Sequence, residues 1–279
     1  MKKAISLAVS CLVIISMVIP AQAHRAAQSD DYMVELLLER GYPSDFLNTL
    51  IQPQIVDLYE LVQEKNLYYL HTYRQQIQPH GNISSRQLSF DVTSSYTPVK
   101  IGDVTYFYEI TIYVDYDWNQ LPSVRGVDAI TVNWDNSILT YNDDFMSKDY
   151  AHSQKQNRWI TYKTWDRPNA LSQGGLGINT YINFEEQISP SEWLSADGLR
   201  GSLSFSLTPE PRLSMSTAPG GNSTAIDGIY VHNANPLSGS LSFSYQGFGV
   251  SVSSGMLQDS IADTKRIEYT RVCSCEIKK

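Results

Sequence analysis

The stretch Val104–Asp135, VTYFYEITIYVDYDWNQLPSVRGVDAITVNWD, decides the fold. Its even positions run Val104, Tyr106, Tyr108, Ile110, Ile112, Val114, Tyr116 and Trp118, apolar or aromatic without a break, while the odd positions include Thr105, Glu109, Thr111, Asp115 and Asp117. A period of two belongs to a strand with one buried and one wet face. After Pro122 and Gly126 the pattern resumes at Ile130, Val132 and Trp134, so the two runs are expected to pair as antiparallel neighbours across a long loop.

Strand signals continue outward from this pair. Leu88, Phe90 and Val92 alternate before it, and Pro98 to Asp103 turns the chain into it. Further runs are Arg158 to Trp165, Leu176 to Phe184, Leu199 to Leu207, Ile226 to His232, Leu237 to Tyr245, Phe248 to Val252 and Arg266 to Val272. That makes about ten short strands separated by Gly, Pro, Asn and Ser clusters, the pattern of a sandwich or barrel. Ser189 to Leu194, with Pro190 at a first helical position, is expected to form a short helical turn. The segments Gly201-Ser-Leu-Ser-Phe-Ser-Leu207 and Gly239-Ser-Leu-Ser-Phe-Ser-Tyr245 echo each other and are expected to be two edge or neighbouring strands of one sandwich.

Before Pro79 and Gly81 the punctuation is helical. Asp30 or Asp31 caps a helix carrying Val34, Leu37 and Leu38, Gly41 stands at a left-handed carboxyl cap, and Pro43 follows. Ser44 or Asp45 starts a second short element, and Pro53 opens a third with Ile55, Leu58, Tyr59 and Val62 on one side. Leu67 to Ile77 fits either period and is read as helix. The expected organisation is therefore a secretory signal at 1–23, a helical segment at 24–80, and an antiparallel β-sandwich domain at 81–279: an all-β fold with an N-terminal helical segment.

The signal rests on Lys2 and Lys3, the apolar run Ala4 to Ile19, and the small-residue site Ala21-Gln22-Ala23, with His24 as the expected mature start. Removing it takes the formal net charge from −8 to −10, because Lys2 and Lys3 are its only charges. A surface this acidic argues against nucleic acid or anionic lipid as partner. Nothing further along is apolar for long enough to span a bilayer as a helix. At 279 residues, 42% hydrophobic and with 18 tyrosines, the chain has ample material for a core. Loss of Cys11 with the signal leaves Cys273 and Cys275, too few for a disulfide framework, so packing must hold the domain together.

Chemistry-bearing patterns are sparse. Cys273-Ser-Cys275 is the most specific, a candidate for a strained local disulfide, an intermolecular bridge or redox exchange. Asp115, Asp117 and Asn119 open a D-x-D-x-N calcium pattern that then fails, since Gln120 replaces the turn glycine and Gly126 the bidentate glutamate. They stand as a non-standard calcium candidate, with Asp135, Asn142, Asp143 and Asp144 able to approach; no other cofactor is expected. His24, His71, His80, His152 and His232 show no metal-ligand spacing and are read as surface or turn residues. No serine elbow or Cys/His nucleophile pattern occurs. By residue type, Glu109, Glu185, Glu186 and Glu192 are candidate hydrolase carboxylates, Glu109 foremost because it projects from the wet face of the organising strand. The alternating hairpin at 237–256 has arms near the length that crosses a bilayer in a β-barrel.

These observations favour a secreted, non-enzymatic binding or interaction protein whose partner is an extracellular protein or a glycan. A carboxylate-based glycan hydrolase on the sandwich and a membrane-active protein using the 237–256 hairpin are the alternatives.

Overall fold

The computed structural model describes residues 31–70, 73–80, 83–84, 86–123, 127–171, 177–184, 187–189, 192–193, 198–210, 213–215, 222–233, 243–245, 250–252 and 258–271. The expected signal, Cys273, Cys275, and most of the 237–256 hairpin lie outside these residues. The chain divides into two compact units, Met1–Glu64 and Lys65–Lys279.

In the first unit, α1 covers 31–39. It ends as its sequence dictates: Gly41 has φ 88°, its N–H donates to Leu38 O and that of Tyr42 to Leu37 O, the paired bonds of a Schellman stop. Leu37 is fully buried and Leu38 is 45% exposed. α2 (Ser44–Leu47) follows Pro43. α3 (Gln52–Lys65) buries Ile55, Leu58 and Val62 at helical spacing. The Gln54 carboxamide accepts the Ile51 N–H at 3.0 Å, satisfying one of the helix's free amino-terminal donors.

The second unit is an antiparallel sandwich. Its first layer runs, in spatial order, β1 (Tyr68–Tyr69), β3 (Leu88–Ile101), β4 (Val104–Trp118), β13 (Leu199–Pro209), β7 (Met146–Ser153) and β8 (Arg158–Trp165), with β6 (Leu139–Tyr141) beside the far end of β13. The second runs β2 (Tyr73–His80), β18 (Gln258–Arg271), β15 (Asn222–Asn233), β5 (Val127–Trp134), β10 (Gly177–Asn183) and β9 (Ala170–Leu171). β14 (Leu213–Met215) pairs with both β4 and β18 and so laces the layers along one side. Two separate pairs complete the set, β11 (Gln187–Ser189) with β12 (Glu192–Trp193) and β16 (Phe243–Tyr245) with β17 (Val250–Val252).

The inward row of β4 is as its alternation dictates, with Ile110, Ile112, Val114, Tyr116 and Trp118 all at 2% exposure or less. Three expectations about this stretch are corrected. First, β4 and β5 do not pair. A strand has two edges, and those of β4 are taken by β3 through the two-residue turn Gly102–Asp103 and by β13 and β14. β5 crosses instead to the other layer, between β15 and β10. Second, Tyr108 is 65% exposed. The register steps from Thr97↔Glu109 to Pro98↔Phe107, a bulge that leaves Tyr108 unpaired and turns Phe107 inward, at the point where Pro98 has no N–H to give. Third, the odd row is not wet: Thr111, Tyr113 and Asp115 are 1%, 3% and 6% exposed.

Residues 68–69 and 73–80, read as helix, are strands, because β1 finds an edge on β3 and β2 one on β18; partner availability decides where the period is ambiguous. Within the helical turn expected at Ser189–Leu194, the described Ser189, Glu192 and Trp193 belong instead to the antiparallel pair β11–β12. The first copy of the internal echo is a central strand and the described part of the second pairs with β17, so the two are neither edges nor neighbours of one layer. Strands β6, β7, β9 and β14 carried no recognised sequence signal.

The layers meet through rings and close backbone approaches. Phe90, Tyr116 and Trp118 from the first layer contact Tyr230 from the second, with ring centroids 6.1, 5.5 and 6.0 Å apart. A Cβ on Gly228 would overlap Val92, so glycine sets how near β15 lies to β3.

Candidate functional site

Three polar constellations stand out in the β unit. The first lies inside the sandwich, where Trp118 Nε1–H donates to the Tyr230 hydroxyl at 2.8 Å and that hydroxyl donates to Asp128 at 2.8 Å. The other Asp128 oxygen lies 2.9 Å from His232 Nδ1. Asp128 and His232 are 0% and 3% exposed, so His232 is a core residue, contrary to the expectation for every histidine here. Burial, then the Asp128 charge, holds the Tyr230 phenol well above its ordinary range, so it stays protonated and serves as a fixed donor.

The second is centred on Lys65, whose ammonium meets Glu109 at 2.9 Å, Asp144 at 2.6 Å and the Ser206 hydroxyl at 2.7 Å. Burial works against the Lys65 charge, but the two carboxylates outweigh it and raise its pKa; Lys65 and the Ser206 hydrogen bonds hold Asp144 down against its own burial. Asn142 Nδ2 donates to the second Glu109 oxygen at 2.9 Å. Both oxygens of the foremost hydrolase candidate are therefore engaged, as befits a structural ion pair.

The third is on the outward face of the first layer, and its register builds it. One row reads Ser89, Asp117, Arg200 and Tyr150 across β3, β4, β13 and β7; the next reads Asp91, Asp115, Ser202 and Lys148. Arg200 is held on two sides: Nη2 lies 2.7 Å from Asp117, and its guanidinium stands 5.2 Å from the centre of the Trp159 ring on β8. His152, cross-strand from Trp159, meets that ring at 5.5 Å. The row is only partly exposed: the Arg200 and Asp117 side chains are 18% and 14% exposed, while Tyr150 is buried.

In the second row Asp91 and Asp115 are cross-strand partners, a like-charge arrangement that requires compensation. Lys265 supplies some of it from β18, lying 2.9 Å from both Asp91 and Asp263, while Asp263 also accepts the Val92 N–H at 2.9 Å on the edge of β3. Burial, then the hydrogen bond to Asp263, pushes Asp91 up to about 6. Asp263 goes the other way: Asp91 and Lys265 outweigh its burial and hold it below the usual carboxylate range. Burial, then the charge of Asp91, raises Asp115 well above that range.

The structure thus brings the calcium candidates Asp115 and Asp117 together on one face. Asn119 lies past the strand end, its N–H bonded to Gln87 O. Among the described residues no group of three or more His, Cys, Asp or Glu is arranged to hold a metal ion. Glu185, Glu186, His24, His71, Cys273 and Cys275 lie outside the described residues, and Glu192 is in β12. Sequence reading missed Asp91, Trp159, Arg200 and Lys265. Alternation put the first three on strands, but only the register aligns them.

No family model matches the chain, and no curated protein matches it. Among solved structures, a carbohydrate-binding module specific for non-crystalline cellulose, CBM28, is similar at 8% identity over 63% of this chain and 78% of its own, with a TM-score of 0.24. A point mutant of the family 29 carbohydrate-binding module CBM29-2 is similar at 8% identity over 50% and 90%, with a TM-score of 0.21. AvmM, which catalyses macrocyclization in alchivemycin A biosynthesis, is similar at 12% identity over 56% and 78%, with a TM-score of 0.24.

No helix among the described residues is long and apolar enough to cross a membrane.

Proposed function

We propose that this is an exported binding protein that takes a glycan on the outward face of its first layer, at the row formed by Trp159, Arg200 and Asp117. The observation that carries the reading is the placement of Arg200 between an indole ring at 5.2 Å and a carboxylate at 2.7 Å on neighbouring strands. An aromatic face gives the C–H surface of a sugar ring an apolar platform, and a fixed guanidinium and carboxylate give its hydroxyls a donor and an acceptor. Being part-exposed and built on strands, the row is held in position before any ligand arrives. Export is supported by the Lys2-Lys3 start, the apolar run and the Ala21-Gln22-Ala23 site.

Calorimetry with neutral, acidic and amino oligosaccharides tests the assignment. Wild type is expected to bind at least one class, and Trp159→Ala to weaken it about tenfold or more, the order of one lost aromatic contact. Unchanged affinity in Trp159→Ala, or no oligosaccharide bound by wild type, would sink it.

A further inference from the structure

The ammonium of Lys265 lies 2.9 Å from Oδ1 of Asp91 and 2.9 Å from Oδ2 of Asp263. Asp91 belongs to β3 in the first layer, Lys265 and Asp263 to β18 in the second. Lys265 and Asp91 are 174 residues apart in the chain, and they join the first and the last long strand of the β unit. Asp263 is fixed in turn, because its Oδ2 also accepts the Val92 N–H at 2.9 Å. The Lys265 and Asp263 side chains are 6% and 2% exposed and that of Asp91 22%, so the group is sealed on the β18 side and open to water only at Asp91.

An amine held against a carboxyl where water is scarce is the reactant pair of an amide. Fixing the two at contact replaces a bimolecular encounter with an effective concentration of about 10⁵ M or more, and a dry site favours condensation over hydrolysis. Asp91 is also in the form that condensation needs: burial, then the hydrogen bond to Asp263, pushes its pKa up to about 6, which favours the protonated carboxyl. Asp263, held ionised by Asp91 and Lys265, is the base beside it.

We infer that Lys265 Nζ and Asp91 Cγ condense to an intramolecular isopeptide bond, with Asp263 relaying the protons. Asp263 first takes one proton from the Lys265 ammonium, and the amine electron pair then bonds to Cγ of the protonated Asp91. Through Asp263 a second N–H proton passes to the departing hydroxyl, the C–O bond breaks, and water leaves by the exposed side of Asp91. The surplus proton of the ammonium stays on Asp263 until solvent takes it. Nothing is oxidised or reduced. The bond ties one layer to the other, so a nick anywhere between residues 91 and 265 leaves β3 and β18 attached. It does not depend on the glycan reading. Condensation consumes the Asp91 carboxyl, so titration of that residue reports on molecules in which the bond has not formed.

The test is the intact mass of denatured wild type after incubation in mildly acidic buffer. The mass is expected to fall below that of the chain by one water, and digestion to release a branched peptide joining residue 91 to residue 265. Lys265→Arg and Asp91→Ala are expected to keep the full chain mass. Asp263→Asn retains both reacting residues; with folding checked by circular dichroism, most of its molecules are expected to keep the water. Wild type at its full chain mass overturns the inference whatever the variants do, and so does a lost water that maps elsewhere in the chain. Bonding in Asp263→Asn as complete as in wild type overturns the role given to Asp263.

Discussion

The phenol of Tyr116 lies across Gly201 and donates to Asp149 at 2.7 Å, so one side chain spans three strands, β4, β13 and β7. A Cβ on Gly201 would overlap the Tyr116 ring. The glycine is required by close approach rather than by a turn, and Tyr116, held above its ordinary pKa first by burial and then by Asp149, stays a donor. Gly201→Ala is expected to cost about 1–3 kcal/mol by forcing the ring aside, and Tyr116→Phe about 1–2 kcal/mol through the lost charge-assisted bond. The double variant should lose less than the sum, since both act on one contact; strict additivity in urea unfolding would show the two are independent.

Asp128 accepts from Tyr230 and meets His232 with no exposure to water. Asp128→Leu strips both partners of their acceptor in the core. The expected loss is about 3–5 kcal/mol by denaturant unfolding, the range for breaking a buried polar pair from one side. A loss under about 1 kcal/mol would mean the network is incidental to the meeting of the layers.

The bulge opposite Pro98 makes a paired prediction at adjacent residues. Phe107 is 2% exposed and Tyr108 65% exposed, so Phe107→Ala is expected to cost about 3–5 kcal/mol and Tyr108→Ser within about 0.5 kcal/mol. Uninterrupted alternation reverses the order, and thermal unfolding of the two variants distinguishes them.

Asp91 gives a pH signature. Its folded pKa, pushed up to about 6 first by burial and then by Asp263, exceeds its ordinary value of 3.8. The folded state therefore holds this proton more tightly than the unfolded chain. The contribution is fully present below the unfolded pKa and is lost as pH rises through about 6. Stability measured from pH 4 to 7 is expected to carry a downward component from this residue, and Asp91→Asn to remove it. An identical pH profile in the variant would contradict the assignment.

The helix stop at Gly41, the inward row of β4 from Ile110 to Trp118, and the antiparallel all-β class were legible without coordinates, because each follows from interactions within a few residues of chain: a left-handed cap, or a period of two against one buried face. The bulge at Tyr108 was not, since the defect belongs to the pairing with Thr97 and Pro98 and leaves the hydrophobic pattern untouched. Nor was the site. Asp91 lies 24 residues before Asp115 in the chain yet faces it across one register step, and Lys265 reaches Asp91 from the far end of the sequence. Sequence by itself determined the all-β class and the inward row of β4 from Ile110 to Trp118. Tertiary structure alone decided which edge each strand took, because many partners satisfy the same backbone hydrogen bonds, and with the edges it decided which charges would meet.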